Sequence, residues 1–174
     1  MILDGYWKRE LKTSINLLKL WKSVSTVFDT DYVMHKANKH ILLTAIAVRK
    51  MVDDELLAKK DIKHSSLPMP KLPLINYRVT VTEYPFTGDK DWIIPGRITA
   101  DDYGQASGVK EILLNKLCNQ IIHSFVWGIA GTTGKKGFAG FLVASDREKE
   151  KLVYYVTIDD WIAAIQFCVV NSSV

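Results

Sequence analysis

The chain has 174 residues, of which 48% are hydrophobic and 24% are charged. These values are ordinary for a globular protein, exclude a disordered chain, and leave enough length for one domain with its own core. The net charge of +4 permits an anionic partner, but the lysines are scattered and predict no continuous basic stripe. No apolar stretch approaches the roughly 20 residues of a membrane-spanning helix, and no secretory signal is recognisable. We therefore expect a cytoplasmic protein with no membrane contact.

The two cysteines, Cys118 and Cys168, fall in stretches that read as helical. Two thiols without an export signal indicate a reducing compartment rather than a disulfide framework. Their spacing does not match a zinc site, so we expect both to be small buried hydrophobes. The sequence predicts neither a metal nor a cofactor.

The first third of the chain predicts a helical hairpin over residues 4–60. Its first helix carries apolar residues every three or four positions, and lysines occupy the opposite face. The second helix, from about Asp31 to Lys59, has a similar stripe that includes Ala37, Ile41 and Val48. A short connection between the two predicts that they lie antiparallel.

The remaining chain mixes strands and helices. Residues 61–98 predict a proline-rich loop followed by a strand, because Tyr77, Val79 and Val81 alternate with polar residues. Further along we predict a long helix over 99–127, a β-hairpin over 138–158 and a final helix over 159–171. The predicted fold class is α+β: a mainly α-helical antiparallel bundle of about four helices with a small antiparallel sheet, all in a single domain.

A glycine- and lysine-rich stretch, residues 131–137, is similar to a phosphate-binding loop. Such a loop needs a glycine five residues before its Gly-Lys pair, where this chain has Ile129. It also needs Ser or Thr after the lysine, where this chain has Lys136. We therefore interpret the stretch as a connector.

Two other groups of polar residues do not predict a site. His35 and His40 are five residues apart, which does not suit a pair of metal ligands on one helix face. The acidic run Asp53-Asp54-Glu55 is typical of a solvated helix face.

Asn119 and His123 are four residues apart in the predicted long helix and so share one of its faces. A histidine there can act as a general acid or base near neutral pH, and the asparagine can orient its imidazole or a phosphate. The alternative is a buried histidine that is hydrogen-bonded to Asn119 as part of the core.

This pattern resembles the HEPN domain, whose RNases carry an arginine, four to six intervening residues and a histidine late in a long helix of a bundle. Four residues separate Cys118 from His123, and Asn119 stands where the family often has a polar residue. The stretch Ile46–Val52 resembles the matching helix of many such domains. Cys118 replaces the family arginine, and Arg49 on the second helix is the candidate substitute.

The resemblance implies a homodimer, action on RNA or nucleotide, and a setting in bacterial defence or toxin-type systems. Because Cys118 carries no fixed charge, we predict a HEPN-like interaction module that is non-catalytic or degenerate, with a possible protein partner. The alternative function is a metal-independent RNase that uses His123 with Asn119 and, if it lies nearby, Arg49. A small-molecule enzyme that uses His123 is a third hypothesis, for which the sequence offers no second catalytic group.

Overall fold

The computed structural model describes residues 2–23, 30–62, 73–87, 104–132, 135–149 and 151–172. These residues form five helices and five strands, a mixed α+β architecture. The helices are α1 (Ile2–Ser23), α2 (Thr30–Ile62), α3 (Pro73–Asn76), α4 (Leu114–Ile122) and α5 (Ile158–Asn171). The strands are β1 (Arg78–Pro85), β2 (Gly108–Leu113), β3 (Ser124–Thr132), β4 (Lys135–Ser145) and β5 (Leu152–Thr157).

The five strands form one sheet in the order β2-β1-β5-β4-β3, with every neighbouring pair antiparallel. Because side chains alternate across a strand, the sheet has two different faces. One face, which includes Val79, Phe141 and Val156, belongs to the main core with the helices. The other face carries a smaller cluster around Val126, Ala144 and Val153.

Helices α1, α2 and α5 agree with the helical patterns in the sequence. The α1 residues Leu11, Ile15 and Leu18 are buried, as their spacing predicts, and so is the α2 stripe from Ala37 to Val52. The helical prediction for residues 24–28 lies outside the described residues. Helix α5 is capped by the Thr157 hydroxyl, which accepts a hydrogen bond from the Asp160 amide.

The predicted long helix over 99–127 is wrong. Residues 99–103 lie outside the described part of the chain, 108–113 are strand β2, and only Leu114–Ile122 is helical. Strand β2 pairs with β1 in a register that places Ile112 opposite Val79, and both side chains are buried. Since ladder hydrogen bonds satisfy the backbone of both strands, this pairing overrides the local helical periodicity.

Two further sequence predictions are corrected at this end of the fold. Residues 131 and 132, interpreted from the sequence as part of a connector, belong to strand β3, and β4 already begins at Lys135. Helix α3 was missed inside the predicted loop over 61–98. It begins at Pro73, a residue well suited to the first helical position, and its amides are bonded by a carboxylate from α2.

That carboxylate belongs to Glu55, which is buried with 7% of its surface exposed and does not lie on a solvated face. Its Oε2 accepts hydrogen bonds from the amides of Leu74 at 3.0 Å and Ile75 at 3.2 Å. Within the described residues Oε1 has no hydrogen-bond partner. Burial raises the pKa of Glu55, although the two amide hydrogen bonds oppose that rise.

None of the described helices combines the length and the apolar character that crossing a bilayer requires. The longest of them, α2, has 33 residues and carries a buried face together with charged positions such as Lys50 and Asp54. Its buried side is fixed by Thr44, whose hydroxyl oxygen accepts a hydrogen bond from the Trp161 indole of α5 at 3.1 Å. This hydrogen bond joins the buried side of α2 to α5.

Candidate functional site on α2 and α4

Helix α4 is short because both of its ends join strands. Its first residue, Leu114, donates its backbone N–H to the carbonyl of Tyr77, next to β1. Leu117, Cys118 and Ile121 form its buried side. The helix ends at Ile122 and is followed by His123, whose side chain is exposed and whose backbone N–H donates to the carbonyl of Asn119 at 3.1 Å. The chain then enters β3, which is rich in β-branched and aromatic residues.

Arg49 and Asn119 are brought together by the packing of α2 against α4. The Arg49 Nη1 donates to Asn119 Oδ1 at 2.8 Å, and its Nε donates to Asp53 Oδ2 at 3.0 Å. The Arg49 side chain is 29% exposed and that of Asp53 is 40% exposed, so the group lies at the surface. The guanidinium is thus held between a carboxylate on its own helix and an amide on α4.

His123 and Asn119 do not form the buried pair that one interpretation of the sequence requires. The Asn119 carbonyl oxygen accepts from Arg49, and the His123 ring lies at the exposed end of α4. Since residues four apart on a helix are neighbours, His123 follows Asn119 by one turn on the same side of α4. The three candidate residues therefore come from one region of the surface, with Arg49 and Asn119 in direct contact.

Cys118, which directly precedes Asn119 on α4, faces the interior of the fold. It is fully buried, and so is Cys168 of α5, and both are free thiols, as the sequence predicts. Desolvation raises the pKa of the Cys118 thiol far above its usual range, and Cys168 nearby adds to that effect. Burial, followed by the neighbouring Glu55, raises the pKa of Cys168 to about 12. Neither thiol is a thiolate near neutral pH, so neither serves as a nucleophile.

The two histidines of α2 have different environments. His40 is half-buried, with its Nδ1 3.0 Å from the Ser14 hydroxyl of α1 and its ring 5.4 Å from that of Trp21. Desolvation, followed by the nearby Lys39 and Lys36, lowers the pKa of His40. His35, one and a half turns earlier, is exposed. His40 therefore belongs to the contact between α1 and α2, and the two imidazoles do not share a site.

Sequence reasoning missed a surface feature of α2. Leu42, Leu43 and Ile46, which we call the α2 apolar patch, are 41%, 44% and 41% exposed. They are spaced like core residues, but they lie outside the stripe that packs inward. The signal in the sequence was the run of apolar residues from Ile41 to Val48, which is wider than one buried stripe needs.

Comparison with known proteins adds no further constraint. No protein-family model matches the chain. No curated protein and no solved structure matches it either.

Proposed function

We propose that this protein is a non-catalytic interaction module that forms a homodimer through the α2 apolar patch. The observation that carries the proposal is the exposure of Leu42, Leu43 and Ile46 on two adjacent turns of one helix. Single exposed apolar residues are common on protein surfaces, whereas contiguous ones mark interaction sites. Leu42 and Ile46 are four residues apart and Leu43 and Ile46 three, so the three side chains form one patch.

A second copy of this chain is the occupant that suits the charges around the patch. Lys39 stands seven residues before Ile46, and Asp53 stands seven residues after it. If two α2 helices cross antiparallel with their two-fold axis at Ile46, Lys39 of one copy faces the partner's Asp53, about 10 Å from the axis. The same contact then occurs twice, as an isologous interface requires.

The surroundings of Arg49 favour a structural role over a catalytic one. Two of its donors are already bonded, one to Asp53 and one to Asn119. A group that stabilises a developing negative charge needs donors directed at the substrate. The position of the family arginine is held by Cys118, which is buried and neutral. These contacts favour a module without nuclease activity, which we propose to be a HEPN-like helical bundle with a C-terminal hairpin. Two buried free thiols support a cytoplasmic location.

The mass of the protein in solution tests the proposal. Each chain has a mass of 19.7 kDa, and we expect twice that mass by light scattering at 50 μM. The Ile46→Asp variant, which places a charge at the centre of the patch, should have the mass of one chain. Val170→Asp is the matched control, because Val170 is 79% exposed on α5, and this variant should remain a dimer.

Charge reversal tests the orientation of the two helices. Lys39→Asp and Asp53→Lys should each weaken the dimer, and the double variant should restore it, because the exchanged charges again face each other. A single-chain mass for the unaltered protein would contradict the homodimer. Both Asp53→Lys and the double variant lack the ion pair of Asp53 with Arg49, so a double variant that associates no more tightly than Asp53→Lys alone would contradict the antiparallel arrangement.

A metal-independent RNase is the second candidate function. It is supported by the exposure of His123 one turn after Asn119, which Arg49 contacts. Under this hypothesis the protein cleaves single-stranded RNA in the presence of EDTA, and His123→Ala abolishes cleavage while the thermal unfolding temperature stays unchanged. Cleavage that survives in His123→Ala, or that is absent from the unaltered protein, counts against this candidate. Lys19→Gln, on the exposed side of α1, is the control and should cleave RNA like the unaltered protein.

A further inference from the structure

A pocket of about 370 Å³ opens between α2 and the junction of α4 with β3. Its lining combines four residues of α2 with three from the other side: His35, Asn38, Lys39, Leu42, Ile121, Ser124 and Trp127. Its volume lies in the range of about 300–1,000 Å³ that small-molecule sites occupy. It is separate from the contact between Arg49 and Asn119, neither of which lines it.

The inner wall of the pocket is built around the indole of Trp127. Its ring is stacked on Phe141, with centroids 5.2 Å apart and planes 22° from parallel. Its Nε1 donates to Asn38 Oδ1 at 2.7 Å. These two contacts fix the orientation of the indole and occupy its single donor. The wall is therefore an ordered apolar surface, and Leu42 and Ile121 extend it. Because the surface is already ordered, ligand binding does not carry the entropic cost of ordering it.

The rim of the pocket is basic. His35 and Lys39 lie four residues apart on α2, so they project from the same side of the helix, and both are exposed. None of the seven lining residues is acidic. The Ser124 hydroxyl adds one group that both donates and accepts. An anionic group at the rim would thus meet positive charge and hydrogen-bond donors, while the rest of a ligand would meet apolar surface.

From this arrangement we propose that the pocket binds a small aromatic carboxylate. The aromatic ring packs between Trp127 and Leu42, and the carboxylate lies at the rim against Lys39 and His35. The inference goes beyond the proposed dimer, because it assigns a small-molecule site beside Trp127. Lys39 and Leu42 belong to both arrangements, so a ligand and a second copy of the chain compete for them. A purely apolar ligand would leave the rim unused, and a polar anion without a ring would leave the indole wall uncovered.

Calorimetric titration of the full chain with 2-naphthoate and with its neutral amide, 2-naphthamide, tests the proposal. The two probes have the same ring system and differ in charge. We expect 2-naphthoate to bind at one site per chain with a Kd at least tenfold lower than that of 2-naphthamide. Raising the salt concentration should weaken the binding of the carboxylate and leave that of the amide unchanged.

Variants then locate the site. Lys39→Gln should weaken 2-naphthoate at least fivefold without affecting 2-naphthamide, because only the carboxylate uses the ammonium group. Leu42→Ala should weaken both probes. Leu43→Ala is the matched control and should weaken neither probe, because Leu43 is about as exposed as Leu42 but does not line the pocket.

Three results would overturn the assignment. They are no detectable binding of 2-naphthoate at 5 mM, equal affinities for the two probes, or equal losses in Leu42→Ala and Leu43→Ala. The last result would mean that the probes adsorb on the α2 apolar patch. The titrations are repeated with Ile46→Asp, which leaves every lining residue of the pocket unchanged and removes the proposed dimer contact, so failure of the pocket is distinguishable from failure of the dimer.

Discussion

Helix α2 meets its neighbours through two charged side chains six residues apart, and the two make opposite kinds of contact. Glu55 is buried and bonds two backbone amides of α3, while one of its oxygens has no partner among the described residues. Arg49 lies near the surface and bonds two side chains, Asp53 and Asn119. The Glu55 contact is buried and joins α2 to α3, whereas the side chains of the Arg49 contact remain partly exposed to solvent.

The difference follows from position on the helix. Glu55 shares the inward side of α2 with Val48 and Val52, so its charge is desolvated and must be compensated by the amides of α3. Arg49 lies at the edge of that side, where water still screens its charge. We therefore expect changes at Glu55 to affect the stability of the protein strongly, and changes at Arg49 to affect it weakly.

The largest effect is expected for Glu55→Ala. This change leaves the amides of Leu74 and Ile75 without their acceptor, and a buried unsatisfied donor costs about 1–3 kcal/mol. We expect the free energy of unfolding in urea to fall by about 3 kcal/mol. Glu55→Gln keeps an acceptor oxygen and should lose far less. Equal losses in the two variants would show that the contact with α3 depends on the charge and not on the hydrogen bonds.

The unaltered protein and Glu55→Gln are expected to differ in how their stability depends on pH. Burial raises the pKa of Glu55 in the folded state. As pH rises above the ordinary value of 4.5, the unfolded chain loses its proton while the folded chain keeps it, so stability falls until the folded pKa is passed. Denaturant titrations at several pH values should show this fall in the unaltered protein and not in Glu55→Gln. A Gln variant with the same pH profile would show that another group is responsible.

A smaller effect is expected where Arg49 meets Asn119. In a double-mutant cycle with Arg49→Ala and Asn119→Ala, we expect a coupling energy of about 1 kcal/mol, because the bond is charge-assisted but partly exposed. Urea unfolding of the four proteins measures it. A coupling energy as large as the loss in the free energy of unfolding expected for Glu55→Ala would remove the distinction between the two contacts.

The smallest effect is expected at His40, on the side of α2 that meets α1. Its pKa is lowered in the folded state, so stability is retained above the ordinary value of 6.5. As pH falls below that value the unfolded chain takes up a proton first, and stability decreases until the folded pKa is reached. His40→Gln should remove this decrease, as followed by thermal unfolding between pH 7.5 and 5. An unchanged profile would place the titrating group elsewhere.

The helices of the two ends were predictable, and the middle of the chain was not. In α2 and α5 the apolar residues recur with a single period, and each helix packs along one stripe. Residues 108–127 also have a helical period, but Ile112 belongs to a strand and Leu117 to a helix. The helical spacing of apolar residues is the same in the strand and in the helix. Residues 108–113 form a strand because they pair with β1, about 30 residues away in the sequence.

The candidate site was partly predictable for a similar reason. Asn119 and His123 follow from their spacing on one helix, and Arg49 was raised as the residue to look for on α2. Their contact depends on packing across 70 residues of sequence, which no local pattern encodes. The sequence did not predict the α2 apolar patch or the pocket beside Trp127. The exposure of a side chain depends on which other elements pack over it, and that is known only from the folded structure.

The sequence by itself determined the mixed α+β class, the helices α1, α2 and α5, the strand β1 and the burial of both cysteines. Each of these follows from local periodicity or from the hydrophobicity of a side chain, which act over a few residues. The tertiary structure decided the pairing of β2 with β1, the capping of α3 by Glu55, the contact of Arg49 with Asn119 and the exposure of His123. These four features depend on contacts between segments that are distant in the sequence. Buried backbone and charged groups require hydrogen-bond partners, and the identity of those partners is determined by the packing of the whole fold.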